Sequence, residues 1–579
     1  MNYRWHTATP KPLLARSLIT ELSVSPLMAQ CLVNRGLSEP CMAASFLAPK
    51  LRDLADPFLL PNMGAAVARL LDALRLGEKI VIFGDYDVDG VTSTTLLMEA
   101  MRQLGWHVEA YLPHRMDEGY GLTREGVENC LKRHPAKLLL AVDCGSTATE
   151  TIGWLRSSGV DVIVLDHHQV SSPPPAANAL VNPQLCVLRE SGAAGGGPGV
   201  FTELCSVGLA FKLVHALVKR GRQLGLAGME TFDMRPLLDL VALGTIADLV
   251  PLRGENRILV TTGLVRLGDT SRKGLIALKE VAQVVKPIEV HAVGYQLGPR
   301  LNAAGRLENA ERALHLLMAQ SMEEATEIAH ELDSQNRERQ QIERNITDEV
   351  IGALRAKFQA ETDYVIVEGQ MLWHIGVVGI VASRVVREFH RPTLIVGGDA
   401  EQWRGSGRSI EGFDLAAALR ECDDLLIRHG GHAMAAGITV EPAKLPELRT
   451  RLNDLARRAL QPEQLRPMLK LDAEVTLDEI TVESIEEIDR LQPCGQGNAS
   501  VQLCARRLRL QRPPMPMGRE KQHLKLWVTD GATTHEAVWW NTGKNPAIPS
   551  NFDLAFVPQI NEFNGRHTVQ LKVLDCHAV

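Results

Sequence analysis

The sequence is short of the features that usually place a chain quickly. None of its ten cysteines is spaced C-x-x-C, which argues against a zinc ribbon. Ten thiols scattered over 579 residues are also too sparse for a disulfide framework. They read as reduced, mostly buried thiols of a cytoplasmic protein. No apolar stretch reaches the roughly 20 uninterrupted residues of a membrane span; one of the longest, Leu237–Leu252, is broken by Asp239 and Asp248. The opening MNYRWHTATPK has no basic region followed by an apolar run, so no secretory signal is expected. No internal repeat is evident. Excess positive charge is missing too, since the formal net charge is −7. That total does not exclude a nucleic-acid partner, because a nuclease carries carboxylates for metal ions and confines its basic residues to local patches.

What is present is ordinary globular composition, 45% hydrophobic and 23% charged, in a chain long enough for three or four domains of about 150 residues. Residues 1–60 read as a helical or loop-like N-terminal segment. From Lys79, short apolar runs alternate with amphipathic stretches, which predicts βα units around a parallel sheet over 61–320. Within it, Ser191–Gly199 (SGAAGGGPG) reads as an exposed flexible loop. Ser321–Phe358 has no proline and only Gly352, which predicts one connecting helix of about 55 Å. A second α/β unit spans 359–462. From 463 to 579 the pattern turns to β. Asp530-Gly531 lies between Lys525–Val528 and Glu536–Trp540, and Asn564-Gly565 between Phe552–Phe563 and Thr568–Val573. Such an end domain suits a small barrel of the OB type. The expected fold class is therefore α/β: a parallel-sheet metal domain, a long helix, a second α/β domain and a C-terminal OB-like β-barrel.

The chemistry gathers at the ends of three expected strands. Lys79–Phe83 runs into Gly84-Asp85-Tyr86-Asp87-Val88-Asp89-Gly90, Leu138–Val142 into Asp143-Cys144-Gly145, and Val160–Leu165 into Asp166-His167-His168. Functional groups of a parallel α/β sheet collect outside the carboxyl ends of its strands. Carboxylates converging there repel unless cations lie between them. Oxygen ligands suit magnesium or calcium, and added imidazoles shift the preference toward manganese. Two such ions can clamp the attacking and leaving oxygens of a phosphoryl transfer. An EF-hand also begins D-x-D-x-D-G, but it would need Glu at 96, where Leu96 stands, and a preceding helix where this chain has a strand pattern.

VIFGDYDVDG, AVDCG, the triplet Asp166-His167-His168 and LGTIADLVPL resemble the successive motifs of the DHH phosphoesterase superfamily. The resemblance implies Asp87, Asp89, Asp143, His167 and Asp248 as metal ligands, with Asp85 and His168 beside them. Asp87, Asp143 and His168 are the candidate catalytic residues, and the cofactor would be Mn2+ or Mg2+, two ions at a time. Many relatives carry His where Phe83 stands, which leaves open whether Asp85 takes over a ligand role.

Arginine suits phosphate through its paired donors, and candidates stand at Arg115, Arg300 and Arg306. In the second α/β unit, Ser406 and Arg408 lie in GSGRS, and Gly430, Gly431 and His432 in HGGHAMAAG. Paired glycines let backbone amides approach an anion, and the small residues after them allow close helix packing. GGHAMAAG looks like the hallmark of the DHH-associated substrate domain, which the resemblance places across a cleft from the metals. Trp373–Arg384 and GPRLNAAGR resemble the longer members of the superfamily, the single-stranded-DNA-specific exonucleases, and that resemblance covers the chain from about residue 60. It implies 5′-to-3′ hydrolysis of single-stranded DNA to mononucleotides in repair and recombination, by a monomer that works with a single-stranded-DNA-binding protein and a helicase. A small-nucleotide phosphodiesterase and a non-catalytic replication scaffold are the alternatives on the same fold. Finally, Arg506, Arg507, Arg509, Arg512, Arg519, Lys521 and Lys525 precede Trp527, Trp539 and Trp540. Basic residues near exposed aromatics form single-strand tracks, although strand alternation predicts that at least one of Trp539 and Trp540 points into the barrel core.

Overall fold

The computed structural model describes residues 3–114, 117–119, 121–185, 201–307, 309–542 and 548–579. The predicted loop at 191–199 lies outside the described residues. The chain opens with a strand, β1 (Arg4–Thr7), where a helical or loop-like segment was expected. Its partner is β12 (Met468–Leu471), in parallel register from Arg4↔Met468 to Thr7↔Leu471. Four residues paired across more than 450 positions leave no local signal to read.

Two units make up the chain. One comprises Glu39–Asn336 with Arg490–Ser500, and the other Met1–Ser38, Arg337–Asp489 and Val501–Val579. The first holds β2 (Lys79–Phe83), β3 (His107–Tyr111), β4 (Leu138–Val142), β5 (Asp161–Leu165) and β6 (Ala179–Val181). They form an all-parallel sheet in the order β3-β2-β4-β5-β6. β4 is buried throughout, as a sheet covered on both faces requires. Alternate residues feed two cores: Ile80, Ile82, Leu138 and Leu140 on one face, Val81, Phe83, Leu139 and Ala141 on the other. From β2 the chain passes to β3 on one side and then to β4 on the other, so the strand order reverses between β2 and β4. That reversal opens a crevice at the carboxyl ends of the strands, and the acidic motifs emerge there.

Helices on this sheet complete the framework. Val88–Gln103 starts at Asp87, whose side chain accepts from the amides of Asp89 and Gly90. Ser206–Gln223 and Leu238–Ala247 pack beside it. GPRLNAAGR forms a continuous helix, Gly298–Leu307, entered through a wide turn at Val293–Leu297. Pro299 lies just after that wide turn, whose altered hydrogen-bond spacing accommodates a residue with no amide hydrogen. The predicted connecting helix is Met322–Lys357, 36 residues without a break.

In the second unit, β7 (Ile366–Met371), β8 (Thr393–Gly398), β9 (Trp403–Arg408), β10 (Leu426–His432) and β11 (Ala435–Val440) form a mixed sheet in the order β10-β11-β9-β8-β7. The glycine string HGGHAMAAG makes the β10–β11 hairpin, so its small residues serve close strand pairing and not the helix packing expected of them. The rest of this unit is β13 (Ala473–Glu474), β14 (Leu503–Leu510), β15 (Met515–Met517), β16 (His523–Thr529), β17 (Thr534–Trp539), β18 (Phe552–Phe563) and β19 (Arg566–Ala578). Their order is β13-β14-β18-β19-β17-β16-β15, and pairing of β14 with β16 closes the OB-like barrel. Both predicted hairpins are present. Asn564 and Gly565 both have positive φ, as the tight turn between twisted strands demands. Trp539 ends β17 half-buried and Trp540 lies exposed beyond it, so neither fills the core. The core positions of this strand are Ala537 and Val538, because the strand stops before the tryptophan pair can be enclosed.

Candidate metal centre

The register aligns the ends of β2, β4 and β5, so Asp85, Asp143 and Asp166 leave the sheet on one edge. Asp85 is buried, and its Oδ1 accepts from the Tyr86 amide at 2.8 Å. Asp87 caps the Val88–Gln103 helix through Oδ1, at 2.9 Å from the Asp89 amide and 3.1 Å from that of Gly90. Gly90 is needed here: a Cβ would lie 2.4 Å from the Asp85 carbonyl oxygen. Asp89 points into the sheet edge, where both its oxygens meet the first turn of the Ser206–Gln223 helix. Oδ2 accepts from the Ser206 amide at 2.7 Å and Oδ1 from the Val207 amide at 2.8 Å. Asp143 has φ +65°, a left-handed conformation that costs a non-glycine residue about 1 kcal/mol or more. Its Oδ1 accepts from the Ser206 hydroxyl at 2.9 Å. Asp248, directly after the Leu238–Ala247 helix, completes the carboxylate set.

His167 stands among them, with Nε2 at 3.5 Å from Asp143, 3.6 Å from Asp248 and 4.0 Å from Asp89. His168 turns to Asp166, its Nδ1 2.7 Å from Oδ1. The other Asp166 oxygen accepts from the Ser146 amide at 2.9 Å. Among the described residues ligand atoms fall into three groups, the first two sharing Asp143: Asp85, Asp87 and Asp143; Asp143, His167 and His168; and Asp89, Cys205 and Asp248.

The electrostatics separate these groups by role. Burial, then the charges of Asp89, Asp87, Asp85 and Asp248, raise the Asp143 carboxyl well above its usual range. Burial and then Asp87 push Asp89 up to about 7, and burial followed by Asp89 and Asp87 pushes Asp248 up to about 9. Burial and the neighbouring His168 charge hold His167 down to about 4, so its imidazole is neutral. Burial works against charge on His168 as well. Its hydrogen bond and ion pair with Asp166 overcome that and raise it to about 9, so it is a cation. Asp166 is also buried, yet the two imidazoles keep its carboxyl well below the usual range.

Divalent cations fit this donor set. Among the described residues His167 Nε2 and Asp248 Oδ2 are buried without a hydrogen-bond partner, an arrangement that is costly unless a ligand completes it. Crowded carboxylates with a neutral imidazole are the donors that Mn2+ or Mg2+ take.

The second unit carries an anion shelf. Arg408 and Ser406 alternate on β9, and the Arg408 Nη1 donates to Ser406 Oγ at 2.7 Å and to the Gly407 carbonyl at 2.8 Å. Among the described residues no carboxylate pairs with Arg408, and burial alone lowers its pKa. Strand register puts Gly437 and Gly430 in one row with Ser406, and Ala435 and His432 in one row with Arg408. A Cβ at Gly430 would meet nothing within 4 Å, so the shelf is open there, whereas Gly431, at φ +136°, has no room for one. Gly379, in the helix Val378–Phe389, approaches both Ser406 Oγ and Arg408 Nη2. Of the other candidate phosphate ligands, Arg300 donates from Nε to Asp333 at 2.9 Å and from Nη1 to the Gln296 carbonyl at 2.6 Å. Arg306 is half-buried on the same helix. Arg115 lies outside the described residues.

In the barrel, the Arg512 guanidinium lies 3.3 Å from the centroid of the Trp527 ring. Arg506 is bound to Glu474 and Asp553, and Lys525 to Glu536. Among the described residues the side chains of Arg507, Arg509, Arg512, Arg519 and Lys521 have no carboxylate partner, although the Arg507 backbone amide donates to Asp553 at 2.9 Å.

Three family descriptions match the chain: the DHH family N-terminal domain over residues 79–245, the DHHA1 domain over 362–458 and the RecJ OB domain over 471–575. A Bacillus subtilis (strain 168) protein, the single-stranded-DNA-specific exonuclease RecJ, is 38% identical over 581 residues, covering 99% of this chain and 70% of its own. The chain belongs to the RecJ family. RecJ from Thermus thermophilus, solved with Mn2+, superimposes at a TM-score of 0.84 with 29% identity, covering 100% of this chain and 80% of that one. The same protein with Mg2+ gives 0.78 and 28%, covering 100% and 79%. As in those relatives, the cofactor is a divalent metal. Among the described residues no helix is long and apolar enough to cross a membrane.

Against this RecJ frame, sequence reading missed the Ser206 and Cys205 contributions. FTELCSVG carries no motif, and only the fold brings the start of its helix against Asp89 and Asp143. It also passed over the anchors behind the histidines: Asn182 Nδ2 donates to Ser146 Oγ at 2.8 Å and to the His168 carbonyl at 2.9 Å.

Proposed function

We propose that this chain is a single-stranded-DNA-specific exonuclease. It hydrolyses phosphodiester bonds from the 5′ end and releases 5′-mononucleotides. The observation that carries the reading is the buried cluster of carboxylates around a neutral His167, with His167 Nε2 and Asp248 Oδ2 left without partners. Asp87, Asp89, Asp143, His167 and Asp248 hold two divalent ions, with Asp85 the neighbouring candidate. Ions held there would supply Lewis-acid polarisation of the phosphodiester and would lower the pKa of an attacking water. His168, kept cationic by Asp166, is the group able to stabilise the developing charge or hand a proton to the departing 3′ oxygen.

The Ser406–Arg408 shelf, with the Gly430-Gly431 backbone and His432, takes the 5′-terminal phosphate. Arg115, Arg300 and Arg306 are assigned to the strand's other phosphates, and Trp527 with the unpaired arginines of the barrel to a track for longer strands. The domains implied are an N-terminal segment to 60, the metal domain to 320, the connecting helix to 358, the substrate domain to 462 and the barrel beyond. The setting is DNA repair and recombination in the cytoplasm, as a monomer fed by a helicase and a single-stranded-DNA-binding protein. A metal titration with a 5′-labelled single strand tests the reading. Mn2+ should support cleavage at least as well as Mg2+, calcium poorly, and EDTA should abolish it. Full activity in EDTA would refute it.

A further inference from the structure

Ser206 is the first residue of its helix, fully buried, and it touches two of the carboxylates assigned to metal. Its amide donates to Asp89 Oδ2 at 2.7 Å and its hydroxyl to Asp143 Oδ1 at 2.9 Å. Asp89 belongs to the group with Cys205 and Asp248, and Asp143 to the other two groups. Ser206 is therefore in hydrogen-bond contact with both sides of the cluster. Asp143 needs such a hold. Its backbone is in the left-handed region at φ +65°, and its carboxylate would otherwise be free to turn about its side-chain torsions beside His167. The hydroxyl occupies one lone pair of Oδ1 and leaves the carboxylate's remaining lone pairs for a cation.

We propose that Ser206 is a positioning residue of the metal centre, whose hydroxyl fixes the Asp143 carboxylate in the orientation that serves both ion positions. The amide contact is kept in alanine, threonine and valine variants alike, so the side chain alone is under test. Partners of this kind behind metal ligands change affinity by about 10- to 100-fold.

The inference rests on the metal-dependent reading above, and the experiment keeps the two apart. Mn2+ binding is measured on the full chain by isothermal titration and by the rise in melting temperature on adding Mn2+, for wild type, Ser206→Ala, Ser206→Thr and Ser206→Val. Thr and Val have nearly the same shape and differ by the hydroxyl, so that pair decides the matter even if alanine leaves a cavity that unfolds the chain. Expected are a metal-free melting temperature similar for Thr and Val, Mn2+ affinity about 10-fold or more weaker in Val and Ala, and affinity near wild type in Thr. The Mn2+ concentration for half-maximal cleavage should rise by the same factor, while KM for the DNA stays put. Equal Mn2+ affinity in Thr and Val overturns the proposal. Absence of Mn2+ binding by the wild type would instead overturn the functional reading itself.

Discussion

Replacing Arg408 by methionine keeps most of the side chain's apolar bulk and removes its charge and its donors. In the free protein the guanidinium is half-buried, hydrogen-bonded to Ser406 Oγ at 2.7 Å and to the Gly407 carbonyl at 2.8 Å. No carboxylate balances it among the described residues. Losing those two bonds costs about 1 kcal/mol each. Removing a partly desolvated, unpaired charge returns a comparable or larger amount. Metal-free and DNA-free stability should therefore be unchanged or slightly higher. Activity should move the other way. A charged hydrogen-bonding partner of a phosphate contributes about 2–4 kcal/mol, which converts to a loss of about 30- to 1,000-fold in kcat/KM. The assay compares two oligonucleotides identical but for the 5′ group, phosphate or hydroxyl, beside melting curves of the same preparations. The phosphorylated substrate should lose far more. Equal losses on the two would place Arg408 elsewhere along the strand, and a fall in stability of about 3 kcal/mol, the cost of breaking a buried pair, would make it a structural residue.

Asp143→Ala should abolish cleavage while leaving the metal-free chain at least as stable as wild type, because one of several mutually repelling carboxylates is gone; melting curves with and without Mn2+ check both halves. Glu255→Gln should destabilise the first unit by about 3 kcal/mol, since it strands the buried Lys212 charge, now held at 2.7 Å; thermal or urea unfolding reads this, and an unchanged midpoint would show that Lys212 had been neutral. Trp527→Ala should weaken binding of long single strands by about 1–3 kcal/mol and spare very short ones, and Arg512→Ala should make the salt dependence shallower by about 0.7. Unchanged affinity and salt slope would give the barrel a role other than strand binding.

Where the fold was legible, local chemistry agreed with the final structure. Ile80–Phe83 and Leu138–Val142 are apolar because both faces of their sheet are covered, and Asn564-Gly565 marks a hairpin because both residues accept positive φ. What stayed hidden depends on partners far away in the chain. β1 is a strand only because Met468–Leu471 lies beside it. The segment Arg490–Ser500 sits in the metal unit although its flanks do not. It is held there by Arg257, a fully buried guanidinium that donates to the carbonyls of Phe46, Leu491, Pro493 and Gln492. Nothing in RLQPCGQGNAS points to that arginine, more than 230 positions upstream.

The candidate site divides in the same way. That acidic residues at three strand ends meet follows from the sheet, and the sheet follows from the apolar runs. Which of them act alike does not. His167 and His168 are adjacent and chemically identical in the sequence, yet their surroundings shift them in opposite directions, His167 down and His168 up. The difference comes from Asp166, a residue of the same triplet. It turns to Nδ1 of His168 and accepts the Ser146 amide on its other oxygen, so the negative charge stays on Asp166 and the positive charge on His168. That positive charge, 4.4 Å away between ring centroids, joins burial in keeping His167 neutral and able to bind a cation. One carboxylate thus divides a pair of histidines into a ligand and a charged neighbour, a division that depends on side-chain orientation and burial. Motif spacing carries neither.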